Sequence, residues 1–397
     1  MKFFFVRHSI QHIHIFYSLS RWFKNRNLTT MNVRERNFII PGFTGFLPEE
    51  IPCRDTIASN MIRVKVGPFS RLDDRVCELV ATLYGTDVIV YTHRTTSSGT
   101  YVTKPVCGDV HPITPGDDVR LVGHSAGCTV IARMIVLMAA HRLWMLRQTS
   151  SEGDIEQEQL ASKLRQLPAA LKPPHGPVFL DETFQPLDVR IEHIQSITNV
   201  CAVAGGVPYI SHLAGYDGGC ISKWSVAWFG WILLYGYERI SRFLPWLRYI
   251  FDTYLQQEDF QGGVESGLIF QDFHASVTVP TFKVASTLLP FRSKFVVCRA
   301  TTNIHGYHVV EPWWNPILFP FYWMFMLFAA LWREANDGVA PVSSQTPPHV
   351  VQCNCSSSHD KQCAKCGTWY THHDHVSVLY DHGLLNAICE RSVDCDQ

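Results

Sequence analysis

The apolar segment Asp118-Val119-Arg120-Leu121-Val122 runs directly into Gly123-His124-Ser125-Ala126-Gly127, and an apolar run from Cys128 to Met138 follows without a break. A buried strand, a tight turn and a long helix, in that order, commit a chain to α/β packing. A G-x-S-x-G turn in that setting is the pattern of a nucleophile elbow. The serine takes a strained backbone conformation so that its hydroxyl projects from the turn, and the flanking glycines keep side chains off the crossing strand and helix. At typical Gly and Ser frequencies of about 7%, the pentapeptide alone arises by chance in roughly a tenth of chains this long. Its position between strand and helix is what carries the reading.

The rest of the chain repeats the alternation. Asn37 to Ile40 reads as a short buried strand entering the turn Pro41-Gly42-Phe43-Thr44-Gly45, and Val64 to Val66 as another short strand. Leu72 to Leu83 is a helix with Val76, Leu79, Val80 and Leu83 on one face. Val88 to Tyr91 is strand, Gly99 to Gly116 loop, and a helix runs from the elbow to about Met145. Gln148 to Pro174 is a polar surface insertion, while Ile191–Ala204 and Phe295–Ala300 are apolar strands. This order predicts a mostly parallel central sheet covered by helices on both faces. A chain of 397 residues is long enough for that core.

Three stretches stand apart. Residues 1–34 carry Lys2, Arg7, Arg21, Lys24 and Arg26 with no acidic residue before Glu35; they read as a targeting segment of mitochondrial type or an extension ahead of a start near Met31. Between about 205 and 290, two aromatic-rich stripes at helical spacing (Trp224, Trp228, Trp231, Tyr235; then Ile240, Phe243, Leu247, Ile250, Tyr254) are either core or a lid over an acyl pocket. Pro312 to Trp332 carries no charge and passes the length test for a membrane span, but Pro316 and Pro320 interrupt it. We read it as a buried or lid-associated element capable of peripheral membrane contact. The domain therefore spans 35–385, with a tail at 386–397.

A formal net charge of −1 gives no basic field for nucleic acid. Of 13 cysteines, Cys77, Cys128, Cys201 and Cys298 sit in apolar stretches and read as small buried hydrophobes. Cys353, Cys355, Cys363 and Cys366, with His359 among them, could close a zinc site, form two disulfides or make a plain surface loop. The favoured compartment is intracellular, with membrane association left open.

A serine needs a histidine base, a carboxylate to orient it and N–H donors for the oxyanion. The chain order in this architecture is Ser, acid, His. Asp337, in the polar turn Asn336-Asp337-Gly338, and His375, beside His372 and His373, fit that order; composition alone does not choose among the three histidines. The backbone N–H groups of Ala126 and Phe43 are the oxyanion-hole candidates.

Pro41-Gly42-Phe43-Thr44-Gly45 resembles the HGFTG oxyanion turn of the staphylococcal and thermophilic-bacillus true lipases, which have eukaryotic lipase-like relatives. Val66 to Glu78, VGPFSRLDDRVCE, is similar to that family's VGP-x-S-x3-DR-x-CE segment. The resemblance implies an α/β-hydrolase fold, Ser125 as nucleophile, Asp337 as acid, His375 as base, and hydrolysis of water-insoluble acyl esters of triacylglycerol type. Phospholipase or acyltransferase chemistry on the same triad, and a catalytically silent lipid-binding protein, are the alternatives. The departures are specific. Pro41 replaces the usual histidine of the oxyanion turn. Of the family's two-Asp, two-His structural zinc site, Asp74 and His93 match, a second histidine is not evident and Ser222 stands for the lid aspartate. Ser377 replaces the calcium-binding glutamate. The expectation is a protein that requires no cofactor, with structural zinc left open.

Overall fold

Phe38, Ile39 and Ile40 are all buried, so the strand that carries them is hidden on both faces, as a central strand of a parallel sheet must be. The computed structural model describes residues 35–42, 61–67, 70–106, 110–114, 116–149, 154–207, 272–289, 293–298, 302–304, 307–309, 337, 340–348, 361–362, 368–371, 375 and 377–380. In chain order the main elements are β1 (Glu35–Ile40), β2 (Met61–Arg63), α1 (Leu72–Tyr84), β3 (Val88–Thr95), β4 (Tyr101–Pro105), β5 (Asp118–His124), α2 (Ala126–Thr149) and α3 (Ile155–Leu164). They continue with β6 (Ile194–Val200), α4 (Ala275–Leu288), β7 (Ser293–Cys298), β8 (Thr302–Ile304), β9 (Tyr307–Val309), β10 (Lys361–Gln362) and β11 (Trp369–Thr371).

Seven strands form one sheet in the order β10-β11-β7-β6-β5-β1-β2, in which only β10 runs antiparallel to its neighbour. Along β1 and β5 the side chains alternate between two cores. Phe38, Ile40, Val119 and Leu121 pack with Leu79 of α1, Ile131 of α2 and Phe282 of α4. Ile39 and Val122 pack instead with Val296, Trp369, Val378 and Leu379. Each such burial contributes about 1.5–3 kcal/mol, so a polar residue at Ile40 would cost core on the helical face. The arrangement is the α/β-hydrolase fold: a mostly parallel sheet with crossover helices and a serine turn at the end of its central strand.

Several local outcomes differ from the sequence expectations. The second strand falls at Met61–Arg63, with Val64 and Val66 buried just beyond it. Within the expected loop 99–116, β4 pairs antiparallel with β3 through a turn in which Gly99 has φ 81°. Within the polar insertion lies α3, its first turn capped by Asp154, whose side chain accepts from the Glu156 N–H at 2.9 Å. α2 runs to Thr149. It is long and apolar enough to cross a membrane, yet most of it is buried in the helical-face core. The aromatic stripes at 224–254, the segment Pro312–Trp332, the cysteines at 353–366, residues 1–34 and the tail 386–397 lie outside the described residues.

Candidate active site

In sequence the chain leaves β1 toward β2 on one side and returns to β5 on the other. The carboxyl ends of β1 and β5 therefore lie side by side where the strand order reverses, the place where open α/β sheets bind ligands. Pro41 and Gly42 leave β1 there, and Ser125 leaves β5. Ser125 has φ 54°, a left-handed conformation that a non-glycine residue adopts only when its surroundings impose it. They do so on both sides: the Ser125 N–H donates to Val200 O of β6 at 2.9 Å, and the Cys128 N–H donates to Ser125 O at 3.1 Å. The two glycines of the pentapeptide are required by space. A Cβ at Gly123 would lie 2.8 Å from the Cys128 backbone, and one at Gly127 would strike the Ile40 carbonyl and lie 2.7 Å from the Pro41 oxygen. A Cβ at Gly42 would stand 2.9 Å from Ser125 Cβ, which measures how closely the turn after β1 approaches the serine.

The other two candidates arrive from the far half of the sheet. Asp337 comes after β9 in the chain and is fully buried; His375 follows β11 and is 5% exposed. His375 Nδ1 lies 2.7 Å from Asp337 Oδ2, and the His375 main-chain N–H donates to Asp337 O at 2.8 Å. Asp337 Oδ1 accepts the Ala340 N–H at 2.7 Å. The buried amide of Gln345 fastens this turn to the sheet: its Oε1 accepts the Cys298 N–H at 2.7 Å, and its Nε2 donates to Cys298 O at 2.9 Å and to Ala340 O at 3.2 Å.

Two residues that the sequence did not assign to the site complete the cluster. His124, next to Ser125, has its ring centroid 4.9 Å from that of His375 and its Nε2 2.6 Å from His375 O. Burial, reinforced by the charge of His375, pushes the His124 pKa down to about 3. Cys201, at the end of β6, takes φ 48°, so a second left-handed residue stands one strand over from Ser125. Burial first, then Cys298 and Asp337, hold its thiol well above the usual range, so it stays protonated. No hydrogen bond joins Ser125 to His375; the structure pairs His375 with Asp337 and with His124. Ala126 begins α2, where a first-turn N–H has no partner within the helix. Phe43, His372 and His373 lie outside the described residues.

The described residues of the segment 66–78 act as scaffold. Glu78 accepts from the Gly67 N–H, from Ser70 Oγ at 3.2 Å and from Tyr91 Oη at 3.1 Å. Arg133 of α2 grips Asp73 with two hydrogen bonds at 2.7 and 2.9 Å, and Arg75 donates to Gly42 O at 3.4 Å, tying α1 to the turn beside the serine. Asp272 accepts the Leu72 N–H at 2.8 Å and caps α1 from 200 residues away. At Asp74 and His93, which the resemblance associates with a structural zinc, one oxygen of Asp74 meets His93 Nε2 at 2.7 Å and the other meets the Arg94 guanidinium. A cation already faces that carboxylate. Among the described residues, the three-donor group close enough for a metal is His124, Cys201 and His375, where one nitrogen of each imidazole is already bonded.

Fold and turn together define an α/β-hydrolase fold with a serine at its elbow. No protein-family profile matches the chain, and no curated protein does. Among solved structures it is similar to EstA from Clostridium botulinum, at 17% identity over 91% of this chain and 86% of that one, TM-score 0.48. It is similar also to Staphylococcus hyicus lipase, at 14% identity over 92% and 97%, TM-score 0.45. A third is lipase 1 from Pelosinus fermentans, at 14% identity over 90% and 98%, TM-score 0.46.

Proposed function

We propose that the protein is a serine hydrolase acting on acyl esters of lipids, a lipase or carboxylesterase of triacylglycerol type. The observation that carries this reading is the buried Asp337–His375 pair, 2.7 Å apart, at the same sheet edge as a serine forced to φ 54°. His375 takes the Ser125 proton as Oγ attacks the ester carbonyl, and Asp337 holds the ring in the tautomer that leaves Nε2 free to accept. The N–H groups of Ala126 and Phe43 stabilise the oxyanion. The alcohol leaves with the proton from His375. Water, deprotonated by the same imidazole, then attacks the acyl-enzyme, releases the fatty acid and restores Ser125. The unbridged gap between Ser125 and His375 is compatible with this, because catalytic hydrogen bonds in unliganded enzymes are often long and tighten with substrate. A water-insoluble substrate implies contact with a lipid interface, without need for a cofactor.

The test is covalent. A fluorophosphonate should add to wild type and not to Ser125→Ala, by intact-protein mass spectrometry, and Ser125→Ala should hydrolyse no p-nitrophenyl ester of any chain length. Labelling that survives in Ser125→Ala overturns the assignment. Product analysis with triacylglycerol, phospholipid and alcohol acceptors separates lipase from phospholipase and acyltransferase.

A further inference from the structure

We propose that His124 is a positioning residue for the base: its ring N–H grips the main-chain carbonyl of His375 and sets that histidine against the serine turn. The proposal rests on the Ser125–Asp337–His375 reading above. A carbonyl can only accept, so the 2.6 Å contact from Nε2 to His375 O places the proton of His124 on Nε2. Nδ1 is left as a bare lone pair, and it is buried with no hydrogen-bond partner.

The contrast with His141, another buried histidine, is informative. There Nε2 meets Leu187 O at 2.8 Å, and Nδ1 accepts the N–H groups of Val178 at 3.0 Å and Phe179 at 3.3 Å, so both nitrogens are used. A buried acceptor without a partner is a standing cost that a phenyl ring filling the same space would not carry. What the imidazole adds at 124 is the Nε2–H, and its one acceptor is the His375 carbonyl.

The position of that bond gives it a role the other two lack. His375 is held to Asp337 by its main-chain N–H at 2.8 Å and by Nδ1 at 2.7 Å, and both bonds tie it to the turn at Asp337. The His124 bond ties it to the last residue of β5, the strand that ends at Ser125. It is the link that sets base against nucleophile. His124 is also kept neutral by burial, so no second positive charge arises beside His375 when that ring accepts the serine proton.

The experiment compares His124→Gln, His124→Asn and His124→Phe by p-nitrophenyl ester kinetics and by the rate of fluorophosphonate labelling. Gln carries its amide N–H to about the reach of Nε2, whereas Asn stops short and Phe has no donor. Misplacing a reacting group by about 1 Å costs up to roughly 100-fold. The expected result is a kcat loss of about 10- to 100-fold in Phe and Asn with KM little changed, recovery to within about 5-fold in Gln, and slower labelling at Ser125 in step with kcat. A Gln variant no better than Asn, a loss confined to KM, or a Phe variant with wild-type kcat overturns the proposal. If Phe does not fold, the Gln–Asn pair decides. Wild type that never labels at Ser125 overturns the hydrolase reading itself, a separate and distinguishable result.

Discussion

Among the described residues, two carboxylate–imidazole pairs stand at the same distance, Asp337–His375 and Asp74–His93, each 2.7 Å. Their company differs. The second oxygen of Asp337 accepts the backbone N–H of Ala340, while the second oxygen of Asp74 meets the Arg94 guanidinium. The His375 side chain is 6% exposed and seated against His124; the His93 side chain is 20% exposed and lies edge-on to Tyr91. A carboxylate whose charge is already balanced by a guanidinium has less to offer an imidazolium. An Asp–His contact is a weaker base-orienting device where a guanidinium also answers the carboxylate, as at Asp74, and the contact distance alone would not separate the two.

The comparison can be broken most directly at the carboxylates. Asp337→Asn should lower kcat by about 10⁴-fold, since Asn no longer holds the required tautomer. Asp74→Asn should leave kcat nearly unchanged and instead destabilise the fold by roughly 1–3 kcal/mol, read by denaturant unfolding. Equal kcat losses in both would erase the distinction. A third carboxylate sharpens it. Burial pushes Asp272 up to about 6 from 3.8, although its oxygen accepts the Leu72 N–H. As pH rises through that window the unfolded chain has lost its proton while the folded chain keeps it, so this residue lowers stability progressively. Asp272→Asn, which keeps an acceptor for α1, should gain on the order of 1–3 kcal/mol at neutral pH and nothing below about pH 4. A gain independent of pH would refute the titration argument. The smallest expected effect is that of a chelator: with Arg94 facing Asp74, EDTA should leave the thermal midpoint unmoved. A drop reversed by zinc would show that a metal, not the guanidinium, balances that carboxylate.

Much of this was legible because periodicity and turn chemistry survive in one dimension. The elbow announced itself through the apolar segments on either side of Gly123–Gly127, and the strands through their buried runs. Asp337 and His375 stood out by chain order and by resemblance, since composition alone left His372 and His373 equal to His375. What stayed hidden depends on contacts between distant positions. Nothing local marks Asp272 as the cap of α1, Gln345 as the clasp of the Asp337 turn, or Cys201 as a second left-handed residue. His124 was in plain view inside the pentapeptide, but its bond spans 251 positions. Two elements were missed for local reasons. α3 exposes much of its surface, with Ile155 72% exposed, so its apolar pattern is faint. The strand β4 follows a Ser-Gly turn whose chemistry was available to be read.

Gln345 meets both the N–H and the C=O of Cys298, so a single side-chain amide imitates the pairing of a neighbouring strand at the point where the chain leaves β7. The two ends of the excursion between those residues are thereby joined at its neck. Closure entropy grows only slowly with loop length, about 0.6 kcal/mol for each doubling. Sequence can therefore be added to or removed from that excursion while the carboxylate at its base keeps its address. The place of that buried carboxylate is set by the neck and not by the length of chain hung from it.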